Sequence, residues 1–137
     1  MNKLKMLLAV ALLSLTQASY SAECWITENY KGYTSRDRDK FAFVKDGMTS
    51  TKYVISIDGK NSRVVGSNIT TYIQTAENSI LALEINEGSS VVETWSIFPA
   101  SKKALYTKTI NGYGEFDGTT SFVGEVTGSC KSEQEIQ

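Results

Sequence analysis

The sequence predicts a small all-β domain, a single antiparallel meander of about eight strands that closes or nearly closes into a β-barrel. Two observations lead to this prediction. After the first 22 residues the chain holds 8 Val, 10 Ile and 13 Thr but only 3 Leu, and β-branched side chains favour the pleated surface of strands. Turn-forming residues also divide the chain into short runs at fairly even intervals, which favours hairpins between sequential strands. A β-sandwich is the alternative architecture.

Tight-turn signals separate the predicted strands. Asp-Gly, Glu-Gly, Asn-Gly, Glu-Asn and Pro-Ala pairs suit sharp reversals, and they lie at 46–47, 58–61, 77–79, 87–88, 99–101, 111–112 and 117–118. Closure of the resulting meander would remove both unpaired sheet edges. The runs between the turns predict strands, with a bend at Gly66 in the fourth, at 24–33, 40–45, 48–57, 62–74, 79–86, 90–98, 103–110 and 119–130.

Alternation of side chains sorts the residues of three of these runs onto two faces. In 79–86 the face of Leu81, Leu83 and Ile85 is predicted to meet the core. In 90–98 both faces are expected to be partly covered. The other residues that share a face are Thr49, Thr51, Tyr53, Ile55 and Ile57, and Val91, Glu93, Trp95 and Ile97.

The N-terminal residues 1–22 have the pattern of a secretory signal peptide. Lys3 and Lys5 precede an apolar run from Met6 to Leu15, and small residues follow. About ten apolar residues are too few to span a bilayer as a helix. We therefore expect a periplasmic or secreted protein without stable membrane insertion.

Processing is expected to leave a soluble mature chain. Cleavage after Ala18, Ser21 or Ala22 starts that chain at or before Glu23. Glu23 precedes Cys24, where a lipoprotein signal requires a small residue, so we expect no lipid on this cysteine. One domain is then predicted over 23–131, followed by a polar C-terminal tail at 132–137.

The two cysteines stand almost at the ends of the mature chain. Cys24 and Cys130 can form only one intramolecular pair, and export to an oxidising compartment favours that pair. The sequence predicts a disulfide that ties the first strand to the last.

Several classes of function are disfavoured by composition. The 137-residue chain has no His and a formal net charge of −1, so it lacks the commonest general base and metal ligand and has no basic block for nucleic acid. A glycosidase needs only two carboxylates, and Glu115 with Asp117 is the closest acidic pair. These residues lie in a glycine-rich loop, where acids are ordinary turn residues. Ser101-Lys102-Lys103 contains the residue types of a Ser-Lys hydrolytic dyad, but the tripeptide is typical of a hydrophilic hairpin tip. We predict no enzymatic activity, no cofactor and no metal site.

Three groups of residues are candidate binding surfaces. The first contains Tyr33 and Arg36, near Trp25 and Tyr30 and at the start of the charged run 36–40. The second is Glu93 with Trp95, which would place a carboxylate beside an indole if that face lines the barrel. The alternative is that this face is exterior and Glu93 is solvated. The third is Tyr113 with Phe116 on a loop rich in glycine, where exposed rings suit a partner interface.

In architecture alone, a signal peptide, one disulfide and a small antiparallel barrel resemble small exported bacterial proteins such as periplasmic lysozyme inhibitors and lipocalin-like binders. This resemblance covers no motif and transfers no residue. It favours a non-catalytic binding protein that takes a protein partner at its rim, as an inhibitor or immunity protein does. A carrier of a small apolar ligand and a structural envelope-interaction protein are the alternatives.

Overall fold

The computed structural model describes residues 22–130. The expected signal peptide and the tail at 132–137 lie outside the described residues, apart from position 22. Nine strands make up the described chain, and they are β1 (Glu23–Arg36), β2 (Phe43–Met48), β3 (Tyr53–Ile57), β4 (Arg63–Val65), β5 (Ile73–Ala76), β6 (Ser79–Asn86), β7 (Ser89–Phe98), β8 (Lys103–Asn111) and β9 (Gly118–Ser129).

All nine strands belong to one antiparallel sheet that curls into a half-barrel. The strand order is β4-β3-β1-β9-β8-β7-β6-β5, and β2 also pairs with β1. The predicted all-β meander, in which the first strand lies beside the last, is confirmed. The ring is open between β4 and β5, the two ends of this order, and a single sheet excludes the two-sheet sandwich.

The long strand β1 organises one side of the sheet. Its first half, Glu23–Thr27, pairs with β3, and its second half, Tyr30–Ser35, pairs with β2. Together β2 and β3 occupy the place of one interrupted strand. The predicted turn at 46–47 is therefore wrong: Gly47 lies inside β2, where an added Cβ would come within 2.4 Å of the Tyr30 carbonyl oxygen. Glycine here permits close approach of two strands. The chain reverses before β2, at 37–41, and does not reverse again between β2 and β3.

The predicted strand at 62–74 is two short strands at opposite ends of the sheet. β4 pairs with β3, whereas β5 pairs with β6. Gly66, with φ of +101°, begins the segment that connects them. Ile69 and Tyr72 of this segment are buried in the core, so the segment packs across the opening between β4 and β5 instead of pairing in the sheet.

The interior of the half-barrel is filled by aromatic rings. Trp95 lies 4.5 Å from Tyr106 and 5.0 Å from Tyr53 between ring centroids, and Tyr30 meets the indole edge to face at 5.5 Å. An added Cβ on Gly124 would lie 2.6 Å from the Tyr30 ring, so glycine makes room for this ring. Such contacts add to the area that the rings bury.

In β3 the shared face of Tyr53, Ile55 and Ile57 is buried. In β7 the face of Glu93 is interior and not exterior. The predicted core face of β6 is wrong. Ile80 and Ala82 are buried, whereas Leu83 and Ile85 are 55% and 72% exposed. The register places Ile80 opposite Trp95. Because successive side chains alternate between faces, a choice that is wrong by one residue inverts the whole strand.

The predicted disulfide is present. Cys24 and Cys130 are joined with an S–S distance of 2.06 Å, and the Cys130 amide donates to the Cys24 carbonyl oxygen at 3.0 Å. The bond ties the start of β1 to the chain just after β9. Within residues 22–130 there is no helix long and apolar enough to cross a membrane.

Candidate functional site

The candidate site lies on the concave face of the sheet, at the end where β1 turns into β2 and β8 turns into β9. The strands β3 and β5 do not extend to this end of the sheet. β3 pairs only with the start of β1, and β5 pairs only with the start of β6. Among the described residues, no strand closes the half-barrel at this end. We call this end of the half-barrel the open end.

Glu93 forms the floor of the open end and is 2% exposed. Its Oε1 accepts hydrogen bonds from the Trp95 indole N–H at 2.7 Å and the Tyr72 hydroxyl at 2.6 Å. Ser67 donates to the same oxygen at 3.3 Å. A buried carboxylate is costly unless its oxygens are paired in this way.

The second oxygen of Glu93 faces the neighbouring strand β8. Oε2 accepts from the Tyr106 hydroxyl at 3.3 Å and lies 3.3 Å from Lys108 Nζ. Glu93 and Lys108 are direct cross-strand partners. The network therefore joins β7, β8 and the segment that crosses the opening between β4 and β5.

Two cavities meet at Lys108. The inner one, of about 210 Å³, is bordered by Glu93, Trp95 and Tyr106 together with residues of the crossing segment. The outer one has a volume of about 300 Å³ and lies at the open end. It is lined by two cationic and four largely apolar side chains, namely Arg36, Lys108, Val91, Ile110, Tyr113 and Phe116.

The loop that carries Tyr113 and Phe116 is braced by Asp117. Its carboxylate accepts from the Tyr113 amide at 2.6 Å and the Gly112 amide at 3.0 Å. The Asp37 amide donates to the Asp117 carbonyl oxygen at 2.8 Å and so joins the neighbouring turn. Asp117 thus holds the loop in shape and links it to the neighbouring turn. The two rings remain 42% and 49% exposed.

The structure brings five of the six predicted binding residues to the open end. Arg36, Tyr113 and Phe116 line the outer cavity, and Glu93 and Trp95 border the inner one. Tyr33 lies apart: it is 49% exposed and borders a separate hollow with Lys31 and Lys45. Nearby Tyr30 is a core residue, and Trp25 packs partly buried against the core.

Sequence reasoning missed Lys108, Tyr72 and Ser67. A signal for Lys108 was present, because a hairpin that turns at 99–102 places Lys108 opposite Glu93. Tyr72 and Ser67 gave no such signal, since they reach Glu93 from 21 and 26 residues away through an irregular segment.

The geometry defines a half-barrel with a filled interior and an open end that carries a braced aromatic loop. No protein-family model, curated protein or solved structure matches this chain.

Alkaline pH is expected to destabilise the fold. Burial raises the pKa of Tyr30 to about 12, and burial together with the Glu93 carboxylate raises the pKa of Tyr72 and Tyr106. Unfolded tyrosines ionise near pH 10, so above about pH 10 the unfolded state has lost more protons than the folded state. The free energy of unfolding should therefore fall as pH rises, by at most about 1.4 kcal/mol per pH unit for each tyrosine.

Urea unfolding at several pH values between about 9 and 12 measures this slope. Tyr30→Phe should reduce this slope, because it removes one of the buried tyrosines whose pKa is raised. A free energy of unfolding that stays constant across this range would contradict the prediction.

Proposed function

We propose that this chain is an exported, non-catalytic binding protein that captures a protein partner at the open end of its half-barrel. The observation that carries the proposal is the pair of exposed rings, Tyr113 and Phe116, on a loop braced by Asp117. Rings held in place before binding bury a large area and lose little side-chain freedom.

The filled interior supports a protein partner over a carried small molecule. Trp95, Tyr30, Tyr53 and Tyr106 occupy the space in which a lipocalin-like protein would hold its ligand. The outer cavity, about 300 Å³, is at the low end of the range for ligand sites. An apolar cargo would find little room, whereas a protein surface can cover the mouth and insert one side chain.

Two further exposed rings lie on the turn next to the loop of Tyr113 and Phe116. Phe41 and Phe43, at the turn into β2, are both exposed. This turn lies beside the loop of Tyr113 and Phe116, as the bond from Asp37 to Asp117 requires. Neither Phe41 nor Phe43 lines the outer cavity, and Phe43 lies opposite Ser35, on the face of Tyr33. The name aromatic rim is therefore given to Tyr113 and Phe116 alone, which line the cavity beside its two cations. Exposed aromatic clusters with polar surroundings are typical of interaction sites.

The N-terminal sequence supports a location of this activity in the periplasm or outside the cell. The apolar run at 6–15 and the cysteine pair both suit an exported protein. Affinity capture from the native envelope, followed by mass spectrometry, would identify the partner.

Tyr113→Ala is expected to weaken partner binding by about 2 kcal/mol, or roughly 30-fold in Kd. The free energy of unfolding should change by no more than about 0.5 kcal/mol, because the ring is a surface feature. Calorimetric titration with the captured partner and urea unfolding measure the two effects. Tyr33→Ala is the matched control, since it removes an equally exposed ring outside the open end. Unchanged binding with a large loss of stability would show that the Tyr113 ring packs the rim instead of binding.

A further inference from the structure

We propose that the outer cavity is a carboxylate site, and that the partner inserts an acidic side chain, flanked by apolar residues, between Arg36 and Lys108. This inference rests on the proposed function, because it specifies the chemistry of the partner at the same open end. It is argued from charge, hydrogen bonding and the lining of one cavity.

Arg36 is the cation of this cavity that lacks a partner. Ion pairs join Lys108 to Glu93 and Arg38 to Asp39, whereas within residues 22–130 the Arg36 guanidinium forms no ion pair. Its Nε is buried and has no hydrogen-bond acceptor among the described residues. A buried donor without a partner is costly, and a charged acceptor removes that cost.

The carboxylates near the cavity do not supply an acceptor for Arg36. Asp117 is engaged by the amides of its own loop, and Asp39 is paired with Arg38. Asp37 and Glu115 belong to the adjacent turns and are not among the residues that line the cavity. Among residues 22–130 no carboxylate accepts from Arg36, so the cavity can take an acceptor from another molecule.

The residues that line the cavity indicate which residues flank the partner's acidic side chain. Val91 and Ile110 lie beside the two cations, and Tyr113 and Phe116 stand at the mouth. Arg binds carboxylates through paired parallel hydrogen bonds, and water-poor surroundings strengthen them. Binding would turn the guanidinium so that Nε donates into the cavity. An acidic side chain with apolar neighbours matches both the charge and the walls.

Two short peptides test the proposal on the mature chain. Acetyl-Trp-Glu-Trp-amide and acetyl-Trp-Gln-Trp-amide differ only in the charge of the central side chain. NMR titration would follow the Arg36 Nε–H resonance. We expect the Glu peptide to shift this resonance and to bind at least about tenfold more tightly than the Gln peptide, as a charge-assisted hydrogen bond predicts.

Variants separate this inference from the proposed function. Arg36→Gln should abolish the preference for Glu, whereas Arg38→Gln, the same charge change on the adjacent turn, should preserve it. Tyr113→Ala should weaken both peptides alike and leave their ratio unchanged. Equal affinities for the two peptides, with binding still dependent on Tyr113, would overturn the carboxylate site alone. If Tyr113→Ala left the affinities for both peptides unchanged while the preference for Glu still depended on Arg36, the result would count against the aromatic rim.

Two further outcomes would overturn the inference without any variant. One is an Arg36 Nε–H resonance that does not move at millimolar Glu peptide. The other is binding of free benzoate as tightly as the Glu peptide, which would assign the cavity to small carboxylates instead of an acidic side chain of a protein.

Discussion

Replacement of both cysteines, Cys24→Ser with Cys130→Ser, is expected to lower the free energy of unfolding by about 2–5 kcal/mol. The bond spans 106 residues, and closure of a loop of about 100 residues is worth roughly 4.7 kcal/mol in the chain-entropy model. Domains of this kind have a total stability of about 5–15 kcal/mol. The disulfide would thus supply a large share of it.

Urea unfolding of the oxidised protein, the reduced protein and the double variant measures this contribution. Reduction of the wild-type chain should reproduce the stability of the variant, because both lose the same cross-link. A thiol titration of the denatured, unreduced protein should find no free thiol. A double variant as stable as the oxidised protein would show that the pairing of β1 with β9 already supplies the closure.

Glu93→Gln is expected to destabilise the fold by about 1–3 kcal/mol, as measured by urea unfolding, because it removes a buried carboxylate that accepts several hydrogen bonds and pairs with the partly exposed Lys108. Glutamine can still accept from Trp95 and Tyr72 through its carbonyl oxygen. Its amide nitrogen is a donor, however, and would replace the oxygen that faces Tyr106 and Lys108. The Tyr106 hydroxyl can turn to accept from this nitrogen, but the Lys108 ammonium only donates and would lose its acceptor.

Two controls isolate the buried network. Glu84→Gln removes the same charge at an exposed position on β6 and should change stability by no more than about 0.5 kcal/mol. Lys108→Met should cost less in the Glu93→Gln background than in the wild type, since the lysine would already lack its partner. A loss below about 1 kcal/mol for Glu93→Gln, the net value of one ordinary hydrogen bond, would contradict the assigned role of this carboxylate.

The positions of the candidate residues in the structure show which inferences sequence patterns can support. Tyr113 and Phe116 were found because a turn signal and exposed rings are local features. Glu93 was recognised as a polar residue on an apolar face, but its partners Tyr72 and Ser67 come from a segment that the pattern assigned to a strand. Only the observed crossing of that segment brings its side chains to the carboxylate.

The face of β6 is a second example. Ile80, Ala82, Leu83 and Ile85 are all acceptable on either side of a sheet, so alternation alone permits two opposite assignments. The register with β7 decides between them, because it places Ile80 opposite Trp95. Register depends on packing across the whole sheet and not on the strand itself.

By itself the sequence determined the all-β class, the single disulfide and the strands from 79 to 110 to within about one residue. These features follow from local alternation, turn chemistry and the presence of only two cysteines, none of which needs distant contacts. The tertiary structure alone decided that β2 and β3 share one side of β1, that the sheet stays open between β4 and β5, and that Arg36 and Lys108 border one cavity. Each of these depends on which distant strands pair and in which register, and that choice is made by side chains from the entire domain packing together in one core.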